Sequence, residues 1–234
     1  MNIAVIFAGG TGTRMKTDNT PKQFLTYREK PILIYTLEKF QRHEEIDGII
    51  IVMLNDWIEK TWKLVKQYRI DKVSAVVPGG KTGLQSRYNG LAEAEKMYDE
   101  DSIVLLHDGV RPFVDASTIS SCIASVKVHG SAITTAPAVE TVALKTKNGL
   151  IGQIMDRSIC QLAKAPQCFF LRDLLSAHRA VMGSGKTDMI DTAFLMQSQG
   201  YPLYVVEGRP ENIKITTPND FYTFCALIDA ENRR

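Results

Sequence analysis

Four short runs dominated by Val, Ile and Leu, separated by longer amphipathic stretches, constrain this chain more than anything else in it. The runs are NIAVIFA (2–8), GIIIVM (48–53), KVSAVV (72–77) and SIVLLH (102–107). Between them lie the helix-like segments PILIYTLEKFQR (31–42), WIEKTWKLVKQY (57–68) and GLQSRYNGLAEAEKMY (83–98). Nearly continuous apolar strands are expected where both faces are buried. Strand and helix in repetition make parallel βαβ units with right-handed crossovers. The expected fold is α/β: a Rossmann-like open, mostly parallel sheet flanked by helices on both faces.

The rhythm changes after residue 135. ETVALKT (140–146) and IGQIMDR (151–157) read as two strands around an Asn148-Gly149 turn, a projecting β-hairpin arm within 138–160. A lone hairpin is marginal without packing, which suits an arm that meets a partner subunit. A helix from about Leu171, another near Thr192, strands LYVVEG (203–208) and NIKIT (212–216), and a helix from Pro218 follow. Pro218 suits a first helical turn. No repeat, low-complexity segment or linker splits the chain, so residues 1–234 are expected to form one domain.

The bulk numbers exclude several classes. A net charge of +2, with 44% apolar and 23% charged residues, is an ordinary globular balance with no basic tract for nucleic acid or a membrane surface. No apolar run approaches the ~20 residues of a membrane span. No signal-type apolar region opens the chain. Cys122, Cys160, Cys168 and Cys225 form neither a CxxC pair nor a dense framework, so free thiols in a reducing cytoplasm are expected.

AGGTGTRM (8–15) leaves the first strand at its carboxyl end, where open parallel sheets place ligands. Gly9, Gly10 and Gly12 permit positive φ and close backbone approach, and the amides from Ala8 through Thr11 and Thr13 suit an anion nest. Arg14 and Lys22 add charge where a triphosphate would lie. Two familiar phosphate loops are excluded by spacing. A dinucleotide fingerprint from Gly10 needs glycine where Met15 stands, and a Walker A loop needs Gly-Lys where Met15-Lys16 stands. GSGKTD (183–188) ends like a Walker A loop but has Ala180 at the leading position. Gly79 and Gly80 end a strand and let a planar base lie on backbone, with Ser86 to hydrogen-bond it. Asp108 and Gly109 leave the strand SIVLLH at the same edge. Asp108 suits a ribose hydroxyl or a metal, or else caps a turn. Arg111 stands before Pro112, to touch substrate or to brace the loop, and His107 reads as a packed histidine. Lys214, in NIKIT, alternates out of the core toward the phosphates.

The ordered set AGGTGTRM…PKQF, GG…S..NGL (79–91), HDGVRPF (107–113), APQ.F (165–169), TD (187–188) and EG..ENIKIT (207–216) resembles the cytidylyltransferases that join CTP to a polyol phosphate. AGGTGTRM and HDGVRPF look closer to the ribitol-phosphate branch, which supplies wall and capsule polymers, than to the methylerythritol-phosphate branch of isoprenoid synthesis. The resemblance implies CTP with Mg²⁺, the metal held mainly by CTP phosphates with help from Asp108. It implies Arg14, Lys22 and Lys214 at the reacting phosphates, and a homodimer in which Thr141 and Arg157 of the arm reach the neighbour's site. Thr187 resembles the substrate-side threonine, with Asp188 ordering its loop. The chain departs from the pattern at Ala165, where threonine is usual, and at Gly83, where arginine is usual, although Arg87 lies near. The implied reaction has the acceptor phosphate attack the α-phosphorus of CTP and pyrophosphate leave, by positioning and charge stabilisation. The alternatives are a different polyol acceptor, a UTP- or ATP-dependent sugar-phosphate nucleotidyltransferase, and a nucleotide-binding regulator without catalysis.

Overall fold

A computed structural model of the chain describes residues 1–10, 15, 20–183, 189, 191–231 and 233. In chain order the elements begin with β1 (Asn2–Ala8), β2 (Thr26–Tyr27), β3 (Lys30–Pro31), α1 (Ile32–Gln41), β4 (Gly48–Met53) and α2 (Ile58–Gln67). Next come β5 (Val73–Pro78), α3 (Gly83–Met97), β6 (Ile103–Asp108), α4 (Ala116–His129) and β7 (Ser131–Pro137). The arm strands β8 (Ala143–Lys145) and β9 (Ile151–Ile154) precede β10 (Gln161–Phe170), α5 (Leu171–Gly183), α6 (Thr192–Ser198), β11 (Val205–Glu207) and α7 (Pro218–Glu231).

The main sheet runs β11-β7-β10-β6-β1-β4-β5. Only β10 opposes the others, pairing antiparallel with both β6 and β7. The α/β expectation of a mostly parallel sheet flanked by helices is met. Side chains alternate as pleating requires. Ala4, Ile6 and Ala8 pack with α1, α2 and α4. Ile3 and Val5 pack with α3, α5 and α6. Burial on both faces is what makes the strands read as continuous apolar runs. A Cβ at Gly90 would stand 2.7 Å from both Val5 and Val52, so α3 lies against the sheet more closely than any larger residue permits. Among the described residues no helix is long and apolar enough to cross a membrane.

The hairpin forms where it was expected, with β8 antiparallel to β9 and Gly149 at φ +87° in its turn. Five elements escape the sequence reading: α4, capped by Asp115 accepting from Thr118 N, strands β7 and β10, and the short strands β2 and β3. One expectation is corrected. NIKIT is not a strand. Ile213 and Ile215 turn instead toward α7, where Ile215 packs with Phe224 and Ile228, and Ile215 N makes a backbone bond to Val110 O. The alternation of Lys214 out and its neighbours in survives without a ladder.

Candidate active site

Register brings the strand ends into line. Phe7 pairs with Asp108, Ala8 with Met53 and Met53 with Pro78, so the loops after β1, β4, β5 and β6 leave one edge. A cavity of about 470 Å³ opens there, lined by Ala8, Gly9 and Gly10 after β1, Gly80 and Ser86 after β5, and Asp108 after β6. Four cations, Lys22, Lys81, Arg87 and Lys214, face one carboxylate, Asp108, among its described lining residues. A second cavity of about 280 Å³ adjoins it, sharing Phe7, Arg87, Asp108 and Lys214 as the common wall. Its far side carries Arg111, Lys164, Gln167 and Asp191.

Lys22 belongs to a single helical turn, Lys22–Phe24, pinned to the end of β1 because the Gln23 amide donates to Ala8 O. Phe24 stacks on Trp57 at 4.6 Å, fixing the turn from its other side. Lys22 is 8% exposed and its Nζ donates to Ile215 O at 2.9 Å, which ties the first loop to the segment carrying Lys214. Neither Gly9 nor Gly10 takes the positive φ expected of it. Their smallness matters instead: a Cβ at Gly10 would meet no atom of the described residues within 4 Å, and Gly10 lines the cavity.

The β5–α3 loop is rigid by its own hydrogen bonds. Gly80 N donates to Ser86 Oγ at 3.0 Å, Ser86 Oγ donates to Thr82 O at 2.9 Å, and Asn89 donates to Pro78 O at 3.0 Å. Thr82 caps α3 by accepting from Gln85 N. Ser86, read as a base contact, thus also braces its loop while lining the cavity. Gly79 and Gly109 line neither cavity. A Cβ at Gly109 would stand 3.0 Å from Ala8 and Leu33, so close packing at the strand end explains that glycine.

Asp108 is the hub of the shared wall. Its Oδ1 accepts from Lys214 Nζ at 2.6 Å and its Oδ2 from Arg111 Nε at 2.8 Å. Burial pushes its carboxyl up, yet Lys214 and Arg111 outweigh this and hold it at about 2. Arg111 also donates to Asn212 O at 2.9 Å, so it both braces the loop and lines the second cavity. His107 is buried, meets Phe40 edge-on at 5.0 Å, and bonds Arg111 O through Nε2. Burial pulls it down to about 4, so it stays neutral near pH 7, as a packed histidine should.

Thr141 and Arg157 line neither cavity of their own chain; Arg157 donates to Val139 O at the base of the arm. The expectations for Thr11, Gly12, Thr13, Arg14, Thr187 and Asp188 lie outside the described residues. Sequence reasoning assigned no role to Gln23, Lys81, Lys164, Gln167 or Asp191. APQ.F contains Gln167, whose Nε2 donates to Asp191 and whose Oε1 accepts from Ala193 N. That glutamine was the readable signal; Lys164 and Asp191 carried none.

Comparison with known proteins matches this arrangement. Residues 2–229 match the family model described as "IspD: 2-C-methyl-D-erythritol 4-phosphate cytidylyltransferase". A ribitol-5-phosphate cytidylyltransferase of Vibrio parahaemolyticus is 48% identical, over 99% of this chain and 97% of that protein. A 2-C-methyl-D-erythritol 4-phosphate cytidylyltransferase of Clostridium botulinum is 38% identical, over 94% and 93%. Among solved structures, 4-diphosphocytidyl-2C-methyl-D-erythritol synthase of Anaerococcus prevotii superposes with a TM-score of 0.83 at 26% identity, covering 97% of this chain and 96% of that one. A cation-lined, glycine-floored sheet edge and a match spanning both cavities lead to one conclusion: this chain belongs to the IspD family of cytidylyltransferases.

Proposed function

We propose that the chain transfers CMP from CTP to D-ribitol 5-phosphate, giving CDP-ribitol and pyrophosphate for wall or capsule polymers. The observation that carries this reading is the wall shared by two adjoining cavities, where Arg87, Asp108 and Lys214 face both. A nucleoside triphosphate in the larger cavity and a phosphorylated acceptor in the smaller one meet across it. The higher identity to the ribitol-5-phosphate relative, 48% against 38%, supports the choice of acceptor.

An oxygen of the acceptor phosphate attacks the α-phosphorus. The new P–O bond forms as the bond to the bridging oxygen breaks, and its electron pair leaves on pyrophosphate. The acceptor phosphate is already anionic, so no side chain need take a proton, and the neutral, buried His107 has no part in it. The obstacle is repulsion between two anions, which Lys22 and Lys214 offset from fixed positions. Arg14, carried over from the resemblance, adds a third cation. Gly9, Gly10 and Gly80 let the nucleotide lie against backbone, and Arg111 supports the acceptor side.

Among the described residues no group of three or more His, Cys, Asp or Glu side chains is arranged to hold a metal. Mg²⁺ prefers phosphate oxygens and water to a protein cage, so it would be held mainly by the triphosphate. Asp108 is the residue that would help hold it, and the bound ion neutralises part of the triphosphate charge.

The reading includes a homodimer. The arm exposes Leu144, Leu150, Ile151, Ile154 and Ile159, more apolar surface than a lone hairpin sustains in water. Thr141 and Arg157 then serve the partner's acceptor. The four cysteines are free thiols, in keeping with a reducing cytoplasm.

Pyrophosphate release with CTP and Mg²⁺, comparing D-ribitol 5-phosphate with 2-C-methyl-D-erythritol 4-phosphate, tests the reading. At least tenfold higher kcat/KM with ribitol phosphate is expected. Turnover confined to methylerythritol phosphate overturns the acceptor, and release with neither overturns the activity.

A further inference from the structure

We infer that Arg87 binds the acceptor's phosphate monoester at the junction of the two cavities. This rests on the reading that the second cavity takes a phosphorylated acceptor.

Arg87 sits in the second turn of α3 and lines both cavities. Its Nη2 donates to Met189 O at 3.0 Å, which anchors one end of the guanidinium. Its Nη1 lies 3.5 Å from where a Cβ at Gly83 would stand, so the side chain runs back toward the start of the helix. Gly83 leaves that path clear.

The cations around Asp108 are already committed. Lys214 is held by Asp108, and Arg111 by Asp108 and Asn212 O. Arg87 forms no ion pair among the described residues, and its buried Nε has no hydrogen-bond partner. Burial pulls it below the ordinary arginine range, although Asp191 and Asp108 act the other way from beyond ion-pair distance. A buried donor without a hydrogen bond, on a charge with no ion pair among the described residues, is costly, and an oxyanion on the guanidinium offsets the cost of the charge. A guanidinium offers two N–H groups in the fork that matches phosphate oxygens.

The nucleotide side has cations of its own in Lys22 and Lys81. Arg87 shares the acceptor side with Lys164, whose Nζ donates, among the described residues, to the carbonyls of Pro210 and Asn212. The pair brackets the entry of a second anion.

Binding of D-ribitol 5-phosphate and of glycerol 3-phosphate, measured calorimetrically in the presence of α,β-methylene CTP, tests this in wild type, Arg87→Gln and Arg87→Lys. Arg87→Gln should weaken both phosphate monoesters at least tenfold while the Kd for the methylene nucleotide changes less than threefold; nucleotide binding doubles as the folding control. Arg87→Lys should fall between. An unchanged monoester Kd, an equal loss of nucleotide affinity, or a wild type that binds neither monoester overturns the assignment. Failure of the ribitol-phosphate reading looks different: wild type then lacks turnover with that acceptor, while monoester binding still depends on Arg87.

Discussion

Lys214 Nζ lies 2.6 Å from Asp108 Oδ1, a contact between residues 106 positions apart in sequence. The carboxylate holds the ammonium at the wall common to both cavities. It also explains why Lys214 keeps its place without belonging to a strand. Lys214→Ala is expected to lower kcat by roughly 10²–10³, by analogy with the loss of one oxyanion donor. Stability should change by less than about 1 kcal/mol, because the lysine side chain is 45% exposed and such pairs contribute little. Steady-state pyrophosphate release and a urea melt check both halves; kcat within threefold of wild type would remove Lys214 from the reacting centre.

Stability should decline as pH falls from 6.5 toward 4. His107 and His178 are both held at about 4 by burial, against an ordinary 6.5. The unfolded chain therefore takes up protons in this window before the folded one does, and their contribution, fully present above 6.5, is lost on acidification. Each histidine is worth roughly 3 kcal/mol at most. Asp108 acts in a separate window: depressed from 3.8 to about 2, it contributes stability above 3.8 that disappears as pH falls to 2. Urea midpoints at pH 7.5, 6.0 and 5.0 should fall in order, and His178→Gln should flatten the slope by about half. Identical midpoints at all three pH values contradict the assignment.

Gly80→Ala should damage nucleotide binding through the β5–α3 loop. A Cβ at Gly80 would overlap the Gln85 side chain and stand 3.1 Å from the Gln85 carbonyl carbon. Relief requires moving the first turn of α3 or breaking the Gly80–Ser86 bond. Overpacking of this kind costs about 1–3 kcal/mol. The KM for CTP is expected to rise about tenfold or more, with less effect on the acceptor; an unaltered KM for CTP would show that the loop does not carry the nucleotide.

Ile154→Asp should convert a dimer into a monomer. Ile154 is 64% exposed on the arm and Ile151 68%, and neither packs into its own chain's core. Light scattering should report the halved mass, and acceptor kcat/KM should drop with it if Thr141 and Arg157 act on the partner's site. A monomeric wild type, or a monomeric variant with full activity, rules out shared sites. Arg157→Ala should raise the acceptor KM and leave that for CTP near its original value.

The four parallel strands β1, β4, β5 and β6 could be read from sequence because burial on both faces leaves unbroken Val-Ile-Leu runs. The second half was harder. β10 begins with three exposed residues and ends in five buried ones before Phe170, a pattern with neither period. α4 has Ser117, Ser120, Ser121 and Ser125 among its apolar positions, which masks its stripe although Asp115 caps it and Gly130 ends it at φ +80°. NIKIT failed for a different reason: a period of two can serve packing against a helix as well as pairing in a sheet. Cavity-lining residues in glycine-rich or strand-end motifs, such as Gly80, Asp108 and Lys22, are legible because position relative to a parallel strand implies placement. Lys164 and Asp191 reach the cavity only through the antiparallel return of β10 and the cap of α6, which no local pattern announces.

That one reversed strand has a consequence for how such enzymes diversify. The floor of the larger cavity comes from the ends of β1 and β5, whereas Lys164, Ala165 and Gln167 of the smaller one all come from β10. Phe7, Arg87, Asp108 and Lys214 belong to both cavities, but these two sets of lining residues come from separate stretches of the chain. If the smaller cavity takes the acceptor, as proposed, substitutions along β10 reshape that pocket without touching the glycine floor of the larger one, so the choice of phosphorylated polyol can change while the activated donor stays the same.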